Sequence, residues 1–268
     1  MTASEAFITD PPLAHGPAAC EHFQTQGFHI ARGLIPAAEI AALGQHFTDL
    51  HHHAPIPEIY ATKPDSLDPL EVHPRMMQPH RWDRVARSYL LDARILATLG
   101  ALIGDEPLGV QSMFYFKPPG AAGQDFHQDN FYLMARPGTC YAAWLAIDDA
   151  DAANGSLYVV PGSQGRTIAS AASGDADRWG NVVPQPPLDA CTEVRLRAGD
   201  CLFFGGQLIH GSARNLSTAR WRRSFICHYI GRQGSHSVGA YYHPVLDGRG
   251  LLVDVAAGLE WPPGTSHG

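Results

Sequence analysis

Phe126-His127-Gln128-Asp129-Asn130-Phe131 is the stretch on which the reading of the whole chain turns. On an extended strand, residues i and i+2 project from one face, so His127 and Asp129 can reach one ion together while Gln128 points the other way. A second imidazole stands far downstream in Leu208-Ile209-His210-Gly211-Ser212, too distant for a local loop to hold all three groups. The fold must therefore bring a second strand beside the first, and a jelly roll does so. Two imidazoles and one carboxylate on one face of an octahedral ion, with the other positions open, are the ligand set of a mononuclear non-haem Fe(II) centre. Zinc binds the same groups, but a zinc hydrolase would ask for a general base, and none is legible here. Without His210, a hydrogen-bonded His–Asp pair on a barrel strand would explain His127 and Asp129 equally well.

The chain has 268 residues, enough for one large domain with a full core, and a single domain over residues 1–268 is expected. Its 19 basic and 26 acidic side chains give a net charge of −7 with no Lys/Arg-rich block. That balance argues against nucleic-acid and anionic-membrane partners and for a small-molecule substrate. Cys20, Cys140, Cys191, Cys201 and Cys227 are scattered, odd in number and never spaced as C-x-x-C, which fits reduced structural thiols. The first residues lack a basic and then apolar leader, and no run is long enough to span a bilayer, so a cytoplasmic monomer or homodimer is expected, with residues 1–15 flexible.

Helical spacing covers Ala18 to Gln26, Phe28 to Arg32 reads as a strand, and Pro36 opens an amphipathic helix with Ile40, Leu43 and Phe47 on one face. His53 to His80 is rich in Pro, Asp and Met without a clean period and reads as a long loop. From Arg81 to Ile103 helical spacing returns, as two helices broken near Asp92 or Ala93. Beyond Pro107 the signals are those of strands: Val110–Phe116, the stretch around His127, Tyr141–Ile147, Leu157–Val160, Glu193–Leu196, Cys201–Phe204 and Arg223–Ile230. Asn154-Gly155 reads as a hairpin turn and Gly199-Asp200 as a tight turn feeding a buried strand. Many short strands without alternating helices predict a mainly β fold, a double-stranded β-helix (jelly roll, cupin-like) with flanking amino-terminal α-helices and its core over residues 108–230. The loop Ser163–Cys191, the loop His53–His80 and the carboxyl-terminal tail are expected to cover the barrel mouth.

A set of motifs recurs in order around the three candidate ligands: Phe116-Lys117-Pro118-Pro119-Gly120, Ala143 to Asp148, Asn154 to Ser163, then His210-Gly211-Ser212 with Asn215 and Arg222. In this the chain resembles the phytanoyl-CoA dioxygenase family, well from about Leu108 to Ile230 and more weakly over Gly27 to Phe47. The resemblance implies Fe(II) held by His127, Asp129 and His210, 2-oxoglutarate as cosubstrate, molecular oxygen as oxidant, and hydroxylation of an unactivated carbon in a small metabolite or natural-product intermediate. It also implies that Arg222 grips the distal carboxylate of 2-oxoglutarate, a task suited to a planar bidentate cation. The spacing from His210 departs from the family's commonest pattern by about one residue, so Arg220 and Arg223 stay open. Ser212 matches the family position that offers a hydroxyl to the same carboxylate, Gln111 a polar contact in the cosubstrate pocket, and Trp144 one of its walls.

Halogenases of this family replace the carboxylate ligand with a small residue, and Asp129 is present. The rival reading is a non-catalytic cupin-like metabolite-binding protein, which the loss of a ligand or of Arg222 would have favoured. Asn130, Phe131 and Tyr132 are candidates to face the substrate. His51-His52-His53 reads as a solvated helix end, His228 as a neutral core imidazole and Asn215 as a turn former. The only lysines are Lys63 and Lys117, so no polybasic patch exists for the phosphates of a CoA ester.

Overall fold

The computed structural model describes residues 16–166, 183 and 185–258. Its first helix, α1 (Pro17–Gln26), begins on a proline, which lacks the amide hydrogen that a first turn leaves unpaired, and stops at Gly27 with a left-handed φ of 85°. After β1 (Phe28–Ala31), Pro36 caps α2 (Ala37–His52), whose Ile40, Leu43 and Phe47 are buried. The irregular stretch that follows carries one helical turn, α3 (Pro69–Val72), and a two-residue strand, β2 (Met76–Met77). The side chains of Asp83 and Asp92 accept backbone N–H groups at the starts of α4 (Arg84–Leu90) and α5 (Ala93–Ile103), so the break expected near Asp92 is a helix cap.

The β half then runs β3 (Pro107–Tyr115), β4 (Gln124–His127), the short helix α6 (Asp129–Leu133), β5 (Arg136–Pro137), β6 (Cys140–Ala146), β7 (Leu157–Val159), β8 (Thr192–Val194), β9 (Cys201–Gly205), β10 (His210–Ser212), β11 (Ser224–Gly231), β12 (Ser235–Gly239), β13 (Val245–Leu246), β14 (Leu252–Val253) and β15 (Ala256–Gly258). A large sheet has the order β1-β9-β6-β11-β3-β13-β14 with β2 beside β3, a second sheet is β4-β10-β7-β8, and a small third is β15-β12-β5. From β3 to β11 the chain passes repeatedly between the first two sheets, which makes the double-stranded β-helix that the sequence predicts. One expectation fails here. Because β6 and β7 lie in different sheets, Asn154-Gly155 forms a corner between sheets and not a hairpin. Buried Asn154 donates to the carbonyls of Asp149 and Trp221 and accepts from the amide of Asp151, and Gly155 takes a φ of 86° where a Cβ would stand 2.7 Å from the Ala213 carbonyl.

Every residue of β11 is buried, since helices cover one face of the large sheet and the second sheet covers the other. Phe225, Cys227 and Tyr229 point to the helical side, where Phe47 of α2 stacks on Phe114 with ring centroids 4.1 Å apart. Ile226 points inward, into a cluster with Trp144, Leu202, Leu157, Val159 and Val194 drawn from both sheets. Strand alternation puts Arg222, Ser224 and His228 on that inward side. No disulfide links the five cysteines, and no helix among the described residues is long and apolar enough to cross a membrane. Residues 1–15, most of the Ser163–Cys191 loop and the end of the carboxyl-terminal tail, for which flexibility or a covering role is expected, lie outside the described residues.

Candidate active site

His127 ends β4 and His210 begins β10, and the two are directly opposite in an antiparallel pair, with ring centroids 4.2 Å apart. Asp129 is not in the strand but opens α6; extended Gln128 (φ −124°, ψ 119°) still turns Asp129 to the same side as His127. Gln128 reaches away to the carbonyl of Gln207. The Nδ1 of His127 lies 2.8 Å from the Asp125 carbonyl and that of His210 lies 3.0 Å from the Leu208 carbonyl. A carbonyl only accepts, so both Nδ1 atoms carry the hydrogen and both Nε2 atoms turn a lone pair inward. Those lone pairs face Asp129 Oδ1 at 3.4 and 3.6 Å, too long for good hydrogen bonds. Ligand atoms about 2.1 Å from one ion at right angles stand about 3 Å apart, which is close to these spacings. The three ligand atoms lie within 4.8 Å of one another, and all three residues are buried.

His228, read from sequence as an ordinary core imidazole, donates from Nε2 to Asp129 Oδ2 at 3.0 Å. It holds the carboxylate so that Oδ1 faces the two imidazoles. Burial opposes ionisation of Asp129, but the imidazoles packed around it, His210 and His228 first, together with the hydrogen bond from His228, outweigh it and keep the carboxyl well below the usual range. Burial, reinforced by the adjacent His127, lowers His210 to about 4, which keeps it neutral and able to ligate. Gln111 is buried and sits opposite His228 across β3 and β11, level with the support of Asp129 rather than with Arg222.

At the other end of the same inward face, Arg222 is 4% exposed. Its Nε donates to the Gly155 carbonyl at 3.2 Å and its Nη1 to Ser224 Oγ at 3.1 Å, and its guanidinium lies 5.3 Å from the centre of the Trp144 ring. Burial pulls Arg222 down to about 10, and no carboxylate among the described residues pairs with it. Arg220 and Arg223 differ: the first pairs with Asp151 and the second with both oxygens of Asp148. Ser212 closes β10 two residues beyond His210, about 7 Å along a strand. Its Oγ accepts from Lys117 Nζ and from the Gln124 amide, which leaves its own hydrogen to donate.

The remaining candidates divide. Asn130 is spent on structure, accepting from the amides of Ala135 and Cys140 and donating to the Ala135 carbonyl, so it does not face a substrate. Tyr132 lies edge-on to His127 at 6.0 Å and Phe131 lies against Tyr132. His51 bonds Tyr60 and stacks near His73 and Phe116, away from the three ligands. Asn215 donates to the carbonyls of Lys117 and Arg220, tying the Lys117-Pro118-Pro119 turn to the segment that leads into Arg222. Sequence reasoning missed Gln124, whose Nε2 lies 3.2 Å from His127 Nε2, and missed the buried position of Lys117.

The chain is similar to several known proteins. Phytanoyl-CoA dioxygenase 1 of Oryza sativa subsp. japonica is 31% identical over 158 residues, which is 58% of this chain and 56% of that protein. The chain spans a little over half the length of curated relatives that it matches. Among solved structures, EctD from S. alaskensis in its apoform aligns with a TM-score of 0.68 at 19% identity, covering 88% of this chain and 82% of EctD. The epimerase SnoN, in complex with Fe3+, α-ketoglutarate and nogalamycin RO, aligns with a TM-score of 0.64 at 22% identity, covering 80% of this chain and 82% of SnoN. The profile of the family phytanoyl-CoA dioxygenase (PhyH) matches residues 23–224, and the chain belongs to that family.

Proposed function

We propose that this member of the phytanoyl-CoA dioxygenase family is a single-domain Fe(II)- and 2-oxoglutarate-dependent oxygenase that hydroxylates an unactivated carbon of a small metabolite or natural-product intermediate. One observation carries the reading: a buried His127–Asp129–His210 set shares a barrel with a buried Arg222 that has no acid partner among the described residues. The donors suit Fe(II), being two neutral imidazoles and a carboxylate with no thiolate. When bound, Fe(II) and 2-oxoglutarate supply the oxidising power for C–H cleavage from oxygen, with succinate and carbon dioxide as co-products.

The chain's own contribution is binding and orientation. His127 and His210 present Nε2 because their Nδ1 hydrogens are tied to backbone carbonyls. Asp129 offers Oδ1 while His228 occupies Oδ2. Arg222 gives a planar set of N–H donors to a carboxylate, Ser212 adds its hydroxyl, and Trp144 walls the site beneath the guanidinium and keeps water from it. Asp129 also fills the position that a halide would need, which favours oxygen transfer. A small substrate is favoured over a CoA ester because Lys63 is paired with Glu71 and Lys117 is buried, so no lysine is left to dock phosphates.

The test is succinate release by the Fe(II)-loaded protein across a panel of metabolites, with product mass read for each responder. The expected result is succinate formation stimulated by one substrate class, whose product gains one oxygen atom. Succinate no higher than that of a His210→Ala variant would sink the reading. A product of unchanged mass, as an epimerase would give, would keep the cosubstrate and change the outcome.

A further inference from the structure

The inward face that carries Arg222 also carries a second buried cation. Lys117 is 3% exposed, and the Arg222 amide donates to the Lys117 carbonyl at 3.0 Å, which continues the β3–β11 ladder beyond its pair Ser224–Tyr115. Lys117 and Arg222 are therefore cross-strand neighbours of like charge, an arrangement that repels. Neither forms an ion pair among the described residues. The Lys117 ammonium meets only neutral oxygens, Ser212 Oγ at 2.9 Å and the Ala213 carbonyl at 2.5 Å. Its stem passes Gly155, where an added Cβ would lie 3.1 Å from Lys117 Cε, and Arg222 Nε bonds the carbonyl of that same glycine. Two desolvated basic groups converge on Ser212 and Gly155 with no anion supplied by the described residues. A buried charge is costly unless paired, so on its own this pair of side chains lowers the stability of the fold. Burial and then Arg222 pull the Lys117 amine down to about 6, the direction expected of a buried amine with no carboxylate beside it among the described residues.

We infer that Lys117 is a second anchor for the distal carboxylate of the cosubstrate, shared with Arg222 across the β3–β11 ladder and positioned through Ser212. The inference rests on the cosubstrate reading above and adds a residue to it. A single guanidinium would suffice to hold one carboxylate, whereas two cations make the site selective for diacids over monoacids. The alternative for Lys117 is a purely structural tether that fixes the Ala213 turn.

Calorimetry of the Mn(II)-loaded protein under anaerobic conditions separates these roles, with 2-oxoglutarate and pyruvate as probes, since pyruvate keeps the 2-oxoacid end but lacks the distal carboxylate. Lys117→Met is expected to weaken 2-oxoglutarate binding roughly tenfold or more, to leave pyruvate binding unchanged, and to leave the melting temperature of the unliganded protein equal or higher. Lys117→Arg is expected to restore much of the loss. Unchanged 2-oxoglutarate affinity in Lys117→Met would overturn the inference, as would equal losses for both probes with a lowered melting temperature, the signature of a tether. Absence of 2-oxoglutarate binding by the unsubstituted protein would instead overturn the cosubstrate reading itself.

Discussion

Arg220, Arg222 and Arg223 have the same side chain and three different fates. Arg220 meets Asp151 at the surface, Arg223 is clamped by Asp148 on the helical side, and Arg222 is buried inward without an acid. Truncating Arg222 to alanine should therefore weaken 2-oxoglutarate binding by about thirtyfold or more, the usual scale for one partner of a buried charged contact. Arg220→Ala should leave that affinity nearly unchanged, and Arg223→Ala should lower stability instead. Anaerobic binding isotherms check this, and a larger effect from Arg223→Ala would move the anchor to the wrong arginine. His228 is the second residue-scale case. Its hydrogen bond to Asp129 orients a candidate ligand, so His228→Leu should cost about 10- to 100-fold in Fe(II) affinity with little change in melting temperature. An unchanged metal isotherm would make His228 a packing residue only. The three candidate ligands were legible because extended spacing and a distant imidazole are sequence-level signals. His228 was hidden because its partner comes from another sheet, although the alternation Arg222, Ser224, Ile226, His228 does put it inward. Lys117 was hidden because lysines are ordinarily exposed.

Elements with a long apolar pattern were readable, and short ones were not. The face Ile40, Leu43 and Phe47 announced α2, and the buried run of β11 announced a central strand. β10 has three residues, including Gly211, and offers no alternation to read; its position follows only from the need to bring His210 beside His127. The strands β12 to β15 are short or polar and escaped notice for the same reason. Asn154-Gly155 misled because a turn sequence specifies local φ values and not which sheet the next strand joins. Packing between elements gives a further prediction. Phe47 is fully buried and stacks on Phe114, so Phe47→Ala should destabilise the protein by about 3–5 kcal/mol. Chemical denaturation checks it, and a loss under about 1 kcal/mol would mean that α2 is not seated on the large sheet as described.

For the molecule as a whole, imidazoles outside the candidate metal set are also buried or half-buried: His80 is buried, and His51 and His73 are half-buried. Burial lowers His51 and His80 to about 4 and lowers His73 as well. Their folded values lie below the unfolded value near 6.5, so the unfolded chain takes up protons first as the pH falls. The stability they contribute is complete above about pH 6.5 and is lost on the way down to about 4. Melts at successive pH values should show a steady loss across that window, and a flat profile would contradict the burial of these rings. The central claim is the metal centre with its cosubstrate, and anaerobic titration of the metal-free protein with Fe(II), in the presence and absence of 2-oxoglutarate, tests it most directly. The account predicts one Fe(II) bound per chain, tighter when 2-oxoglutarate is present, and binding lost in His210→Ala while that variant stays folded. Equal Fe(II) binding by His210→Ala, or no effect of 2-oxoglutarate on the unsubstituted protein, would contradict it.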